Sequence, residues 1–143
     1  MIYITNSAKE SEKIGALLAE KLIEKKEKRA FIAMRGEMGV GKTAFARGFA
    51  GKLGISGVKS PTYSIVNEHK SDLARIFHFD MYRVESEDDL LSIGYYDYLS
   101  RDGFSLVEWS ENIEDFIPDD AIFVTILRCG TDPDQRKIEI TDF

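Results

Sequence analysis

A single cysteine, Cys129, stands in the 143-residue chain; this excludes an internal disulfide and points to a reducing, cytoplasmic setting. No cysteine and histidine cluster offers zinc-site spacing, and the two histidines, His69 and His78, lie nine apart with no matching carboxylate pattern. Apolar runs are short. None approaches the roughly 20 residues needed to cross a bilayer, and Met1 to Asn6 lacks the basic start and long apolar stretch of a signal peptide. There are only three prolines, and no Pro/Ser-rich linker, low-complexity tract or repeat divides the chain. One domain is therefore expected over 1–143. The net charge of −6 also argues against the broad basic footprint of an independent nucleic-acid binder.

Charge is unevenly spread. Residues 1–79 carry 14 Lys/Arg against 8 Asp/Glu, whereas residues 80–120 carry 2 against 13. Such an acidic stretch is either a solvated face or a surface that meets a basic protein partner.

Local patterns give the elements. Met1 to Thr5 alternates like a short strand, and Ser7-Ala8-Lys9-Glu10 has the form of a capping box. Ile14, Leu17, Leu18 and Leu22 recur at helical spacing, and Ala30 to Met34 is an apolar run of strand length. Strands are further expected over Val58 to Lys70 and Leu73 to Val84, hairpin-like around Lys70-Ser71-Asp72. Ser86 should precede a short acidic helix carrying Leu90, Leu91 and Ile93. Ala121 to Leu127 and Arg136 to Ile140 read as paired strands joined through Gly130 to Asp134.

The strongest signal is Gly36-Glu37-Met38-Gly39-Val40-Gly41-Lys42-Thr43, a gap-free match to G-x-x-x-x-G-K-[ST] between an apolar strand and a helical segment, about Lys42 to Leu53. Glycines let successive backbone N–H groups turn inward around phosphate oxygens, and the following helix adds its positive dipole end. Lys42 suits the β/γ-phosphates, and the Thr43 hydroxyl suits Mg²⁺. The loop therefore points to a purine nucleoside triphosphate with Mg²⁺. Two acids follow apolar strand-like runs: Asp80 after Ile76 to Phe79, and Glu108 after Phe104 to Val107. At the carboxyl ends of parallel strands both would face the ligand crevice, though each is equally a strand-end surface charge by spacing alone. Trp109 is core or rim packing unless Glu108 brings it to the site. Ser60-Pro61-Thr62-Tyr63 is either a plain turn or a segment whose hydroxyl reports a γ-phosphate.

Taken in order, Gly36 to Thr43, Ser60-Pro61-Thr62, His78-Phe79-Asp80-Met81-Tyr82-Arg83 and Leu106-Val107-Glu108-Trp109 resemble the successive motifs of the TsaE (YjeE) family, over nearly the whole chain. The resemblance implies a three-layer α/β P-loop NTPase fold with a mixed, mostly parallel sheet. It implies ATP and Mg²⁺ as ligands, with Glu37, Met38, Gly39, Val40, Gly41, Lys42 and Thr43 around the phosphates. Thr43 and Glu108 would hold the metal, Asp80 would position or polarise water, and Thr62 would be the switch hydroxyl. Ser11 resembles a threonine position near the base, and Arg136 a nucleotide-side arginine; without the resemblance they read as a helix-face hydroxyl and a surface arginine. The implied activity is a weak, partner-dependent ATPase that serves threonylcarbamoyladenosine modification of tRNA. Its partners would be TsaB and TsaD, with tRNA met indirectly and no membrane, and the chain alone a monomer or weakly self-associating.

Two other classes share the loop. A small-molecule kinase would need an arginine-bearing lid, and between Asp80 and Asp120 only Arg83 and Arg101 are present, with no Gly-rich lid pattern around them. A nucleotide-sensing module without useful hydrolysis is the other. A signalling GTPase is disfavoured by the lack of an Asn-Lys-x-Asp segment.

Overall fold

The computed structural model describes residues 1–37, 39–59, 61 and 65–141. In chain order the elements are β1 (Ile2–Thr5), α1 (Ala8–Glu24), β2 (Arg29–Arg35), α2 (Lys42–Lys52), β3 (Val66–Lys70), β4 (Arg75–Asp80), α3 (Glu87–Ser92), α4 (Tyr95–Ser100), β5 (Gly103–Glu108), a 3-10 segment (Ser110–Phe116), β6 (Ile122–Arg128) and β7 (Arg136–Thr141). The strands form one sheet in the order β1-β7-β6-β2-β5-β4-β3. The central neighbours β6, β2, β5 and β4 are parallel, while β1–β7, β7–β6 and β3–β4 pair antiparallel. Five of the seven strands thus point one way, as a mixed, mostly parallel sheet requires.

Because strand side chains alternate, β2 feeds two cores. Ile32 and Met34 join Leu18, Leu22, Phe45 and Phe49 beneath α1 and α2. Phe31 and Ala33 join Phe77, Phe79, Leu90, Tyr95 and Ile113 beneath α3, α4 and the 3-10 segment. Two helical layers therefore sandwich the sheet.

Helix α1 starts where the capping box places it: the Ser7 hydroxyl accepts the Glu10 N–H at 3.2 Å, and the Glu10 carboxylate accepts the Asn6 N–H at 2.9 Å, one residue before the cap. Its most buried stripe is Ser11, Gly15, Leu18, Ala19 and Leu22, with Ile14 and Leu17 at the margin. Small residues sit there because α2 approaches closely. A Cβ on Gly48 of α2 would lie 1.8 Å from the Glu12 carbonyl of α1.

Three expected boundaries shift. Of the strand foreseen over Val58 to Lys70, the described residues show Val66–Lys70, and Val58 is instead a buried loop residue of the α1/α2 core. The one foreseen to Val84 stops at Asp80, whose carboxylate accepts the Tyr82 N–H at 3.0 Å and closes a turn. The short acidic helix foreseen after Ser86 is α3; it ends at Ser92 with Ile93 as its C-cap, and Gly94, with φ 74°, parts it from α4. Ser86 makes no side-chain cap bond there; Asp89 instead accepts the Glu85 N–H at 2.9 Å. No helix among the described residues is long and apolar enough to cross a membrane.

Candidate functional site

The ends of β2, β5 and β4 lie side by side. Parallel pairing in register sets Asp80 opposite Glu108, and β2 beside β5 delivers the glycine loop to the same edge. These are the carboxyl ends of adjacent parallel strands, where open α/β sheets bind ligands. Lys42, Thr43 and the loop glycines Gly39 and Gly41 share a cleft of about 450 Å³ with Asp80, Glu108, Trp109 and Arg47.

The loop leaves β2 through Gly36, whose φ of 144° is open to glycine alone in practice; a Cβ there would also stand 2.5 Å from the Ile126 carbonyl. Two arginines of the β6–β7 hairpin brace its carbonyls. Arg136 Nε donates to Val40 O at 2.7 Å, and Arg128 Nη2 donates to Gly39 O at 3.3 Å. The loop ends on α2, so the helix N-terminus opens toward the cleft.

Lys42 is 6% exposed. Its ammonium donates to Gly36 O at 2.9 Å and sits 4.6 Å from the centre of the Trp109 ring. A buried cation is thus held by one carbonyl and one aromatic face, both at the cleft wall. Trp109 adopts a left-handed backbone, φ 57° and ψ 38°, an uncommon state for a bulky residue. That turn swings the chain from β5 into the 3-10 segment and lays the indole over Lys42, 4.9 Å from the Tyr82 ring. Ser110, directly after it, is anchored by donating to Met34 O at 3.1 Å.

Glu108 is 5% exposed, and its Oε2 lies 2.7 Å from Nε2 of the fully buried His78. His78 and Asp80 share a face of β4 by strand period, which places His78 diagonal to Glu108 on β5. Burial holds the His69 imidazole, on β3, below its ordinary range, and charge on His78 pushes the same way.

Of the residues foreseen from sequence, Gly39, Gly41, Lys42, Thr43, Asp80 and Glu108 converge on the cleft, and Trp109 joins them. Glu37 is exposed on the loop and Val40 is buried beneath it. Ser11 is buried on α1 with its hydroxyl 2.9 Å from that of Thr5, outside the cleft lining. Arg136 stands beside the loop but spends its guanidinium on the carbonyls of Val40, Pro133 and Gln135. Met38 and Thr62 lie outside the described residues. Sequence reading missed His78, although its place two residues before Asp80 on a strand was a usable signal. It also missed Arg47, one helical turn after Thr43, which lines the cleft while pairing with Glu12 at 3.1 Å. Arg101 is turned elsewhere, bonded to Glu68 at 2.6 Å and stacked on Phe77.

This fold and loop define a P-loop-like α/β protein of the nucleotide-binding class. A family model described as threonylcarbamoyl adenosine biosynthesis protein TsaE matches residues 5–138, and the chain belongs to the TsaE family. It is 37% identical over 111 residues to the tRNA threonylcarbamoyladenosine biosynthesis protein TsaE of Bacillus subtilis (77% of this chain, 68% of that one). The corresponding proteins of Haemophilus influenzae and Aquifex aeolicus are 37% and 35% identical, over 90% and 92% of this chain and 80% and 91% of theirs. The crystal structure of Bacillus subtilis YdiB superposes with a TM-score of 0.78 at 28% identity, covering 96% of this chain and 82% of that one. The role of the family is in tRNA threonylcarbamoyladenosine biosynthesis.

Proposed function

We propose that this chain hydrolyses ATP with Mg²⁺ in the cleft at the glycine loop, and that hydrolysis keeps a TsaB–TsaD transferase complex turning over during tRNA modification. The observation that carries the reading is the convergence of Lys42, Thr43, Asp80 and Glu108 on one cleft beside the α2 N-terminus.

The donor set suits the metal. A hydroxyl and two carboxylates are hard oxygen ligands, as Mg²⁺ prefers, and Mg²⁺ is commonly held by one or two carboxylates with substrate phosphates completing its shell. Thr43 and Glu108 are the residues to hold it. When bound there, Mg²⁺ would supply positive charge to offset the charge that develops on phosphoryl transfer.

The other groups follow from position. Loop N–H groups and the Lys42 ammonium would bind the phosphates, the ammonium exchanging its Gly36 contact for stronger charge-assisted ones. Asp80, half-buried and opposite Glu108, would accept a hydrogen bond from the attacking water and so fix its direction. Trp109 would hold the lysine in place and exclude solvent on one side. With the cleft open to solvent, turnover by the isolated chain should be slow, and an ordering partner should accelerate it.

Phosphate release measured with and without TsaB–TsaD, beside multiple-turnover modification of tRNA, tests the whole reading. Acceleration by the complex and loss of multiple turnover when this chain is omitted are the expected results. No acceleration, with full multiple turnover in its absence, would remove the tRNA-linked ATPase role.

A further inference from the structure

We infer that His78 is a positioning residue for Glu108, fixing the carboxylate for the divalent cation; the inference rests on the Mg²⁺-ATP reading above. A polar ring stands where the surroundings are apolar. His78 is 0% exposed, its strand neighbours Phe77 and Phe79 are core residues, and Ile76 and Leu106 flank it on its own face. A ring that served only to fill this volume would be better apolar, because a buried polar group costs free energy unless it is hydrogen-bonded.

The polar atoms of the ring have one use. Nδ1 is buried and has no hydrogen-bond partner among the described residues, whereas Nε2 lies 2.7 Å from Glu108 Oε2. An ionised carboxylate only accepts, so Nε2 carries the proton and donates. A neutral imidazole protonated on Nε2 is sufficient for this.

The backbone gives the contact its stiffness. β4 and β5 pair in parallel through five consecutive positions, and Asp80 and Glu108 close the ladder. His78 is therefore held two residues inside the sheet, and its ring cannot follow a swinging carboxylate. Glu108 at the strand end is instead pinned to a fixed point, which leaves its position at the cleft wall set before ligand arrives. Hydrogen-bond partners behind a metal ligand act in this manner elsewhere, and their removal costs about 10- to 100-fold in metal affinity or activity.

The test uses Trp109, which is the sole tryptophan and lines the cleft over Lys42. Mg²⁺ is titrated into protein saturated with a non-hydrolysable ATP analogue, and indole emission is followed. His78→Phe, which preserves ring volume, should raise the Mg²⁺ midpoint about 10- to 100-fold. Analogue affinity without metal should stay within about threefold. His78→Gln, whose amide N–H falls near the Nε2 position, should recover most of the loss. If His78 acts through Glu108, the double variant H78F/E108Q should titrate like E108Q alone. A wild-type midpoint in H78F, or full additivity with E108Q, would overturn the inference and leave His78 a packing residue. Absence of any Mg²⁺ response in the wild-type protein would instead overturn the metal reading itself, and the inference with it.

Discussion

Lys42 and Asp80 occupy one cleft, and under the ATPase function proposed above they would act at different moments. On that reading the Lys42 ammonium, which gives up Gly36 O for phosphate, makes its contact as soon as nucleotide binds. Lys42→Ala should weaken ATP binding by about 1.5–3 kcal/mol, the range of a charge-assisted hydrogen bond, in a calorimetric titration; affinity within twofold of wild type would contradict the loop assignment. Asp80→Ala removes a group that matters mainly in the transition state, so affinity should hold while steady-state phosphate release collapses. His69 supplies a pH effect. Its folded value lies below the ordinary 6.5, so between the two the unfolded chain binds more protons than the folded one. The His69 contribution to stability is therefore full above 6.5 and declines as the pH falls through that window. Thermal unfolding midpoints recorded from pH 7.5 to 5 should show this decline, and His69→Gln should flatten it. At this scale the glycine loop was legible from its spacing, whereas Asp80 and Glu108 read equally as strand-end surface charges until the family resemblance singled them out. His78 and Arg47 were not legible, because their meaning lies in neighbours across a strand pair and a helix pair that spacing does not give.

The helices and strands were legible where periodicity was strong: α1, β2, α2 and the β6–β7 pair fall close to their sequence outlines. Elements failed where local chemistry overrode pattern. The Asp80 turn ended β4 early, and α4 beyond Gly94 had no expectation in the sequence. Gly48 shows a constraint that no periodicity exposes, since its lack of a side chain matters only because α1 crosses there. Gly48→Ala would drive a methyl into the Glu12 carbonyl at 1.8 Å and must part α1 from α2. Overpacking of this kind costs about 1–3 kcal/mol or more, visible as a lowered denaturation midpoint. The same helix pair carries the Glu12–Arg47 contact at the cleft edge, so ATP affinity should fall as well.

Across the whole molecule, the acidic residues gather after Asp80 in sequence, and many of them are exposed. Glu85 and Asp88 are exposed, whereas Asp89 caps the Glu85 N–H and Glu87 bonds the Tyr96 hydroxyl at 2.9 Å. Glu85 and Asp88 are thus the positions where charge changes with least structural cost. If a basic partner surface docks here, Glu85→Lys with Asp88→Lys should cut partner-stimulated phosphate release by about tenfold at low salt. The unstimulated rate should be unchanged, and added salt should narrow the gap; equal stimulation of both proteins would place the docking surface elsewhere. The strand order has a further consequence, for how the chain is made. β1 pairs with β7, joining residues 2–5 to residues 136–139, nearly the greatest sequence separation this chain permits. At translation rates of about 5–20 residues per second, the first strand synthesised waits on the order of 10 s for its partner. Meanwhile β2, β4 and β5, with the loop and both acids, have been made, but β2 still awaits β6 and the two cores await Ile113, Ile122 and Val124. Arg128 and Arg136 follow Glu108 in the chain, so the loop carbonyls can be braced only after the loop and both acids have been made.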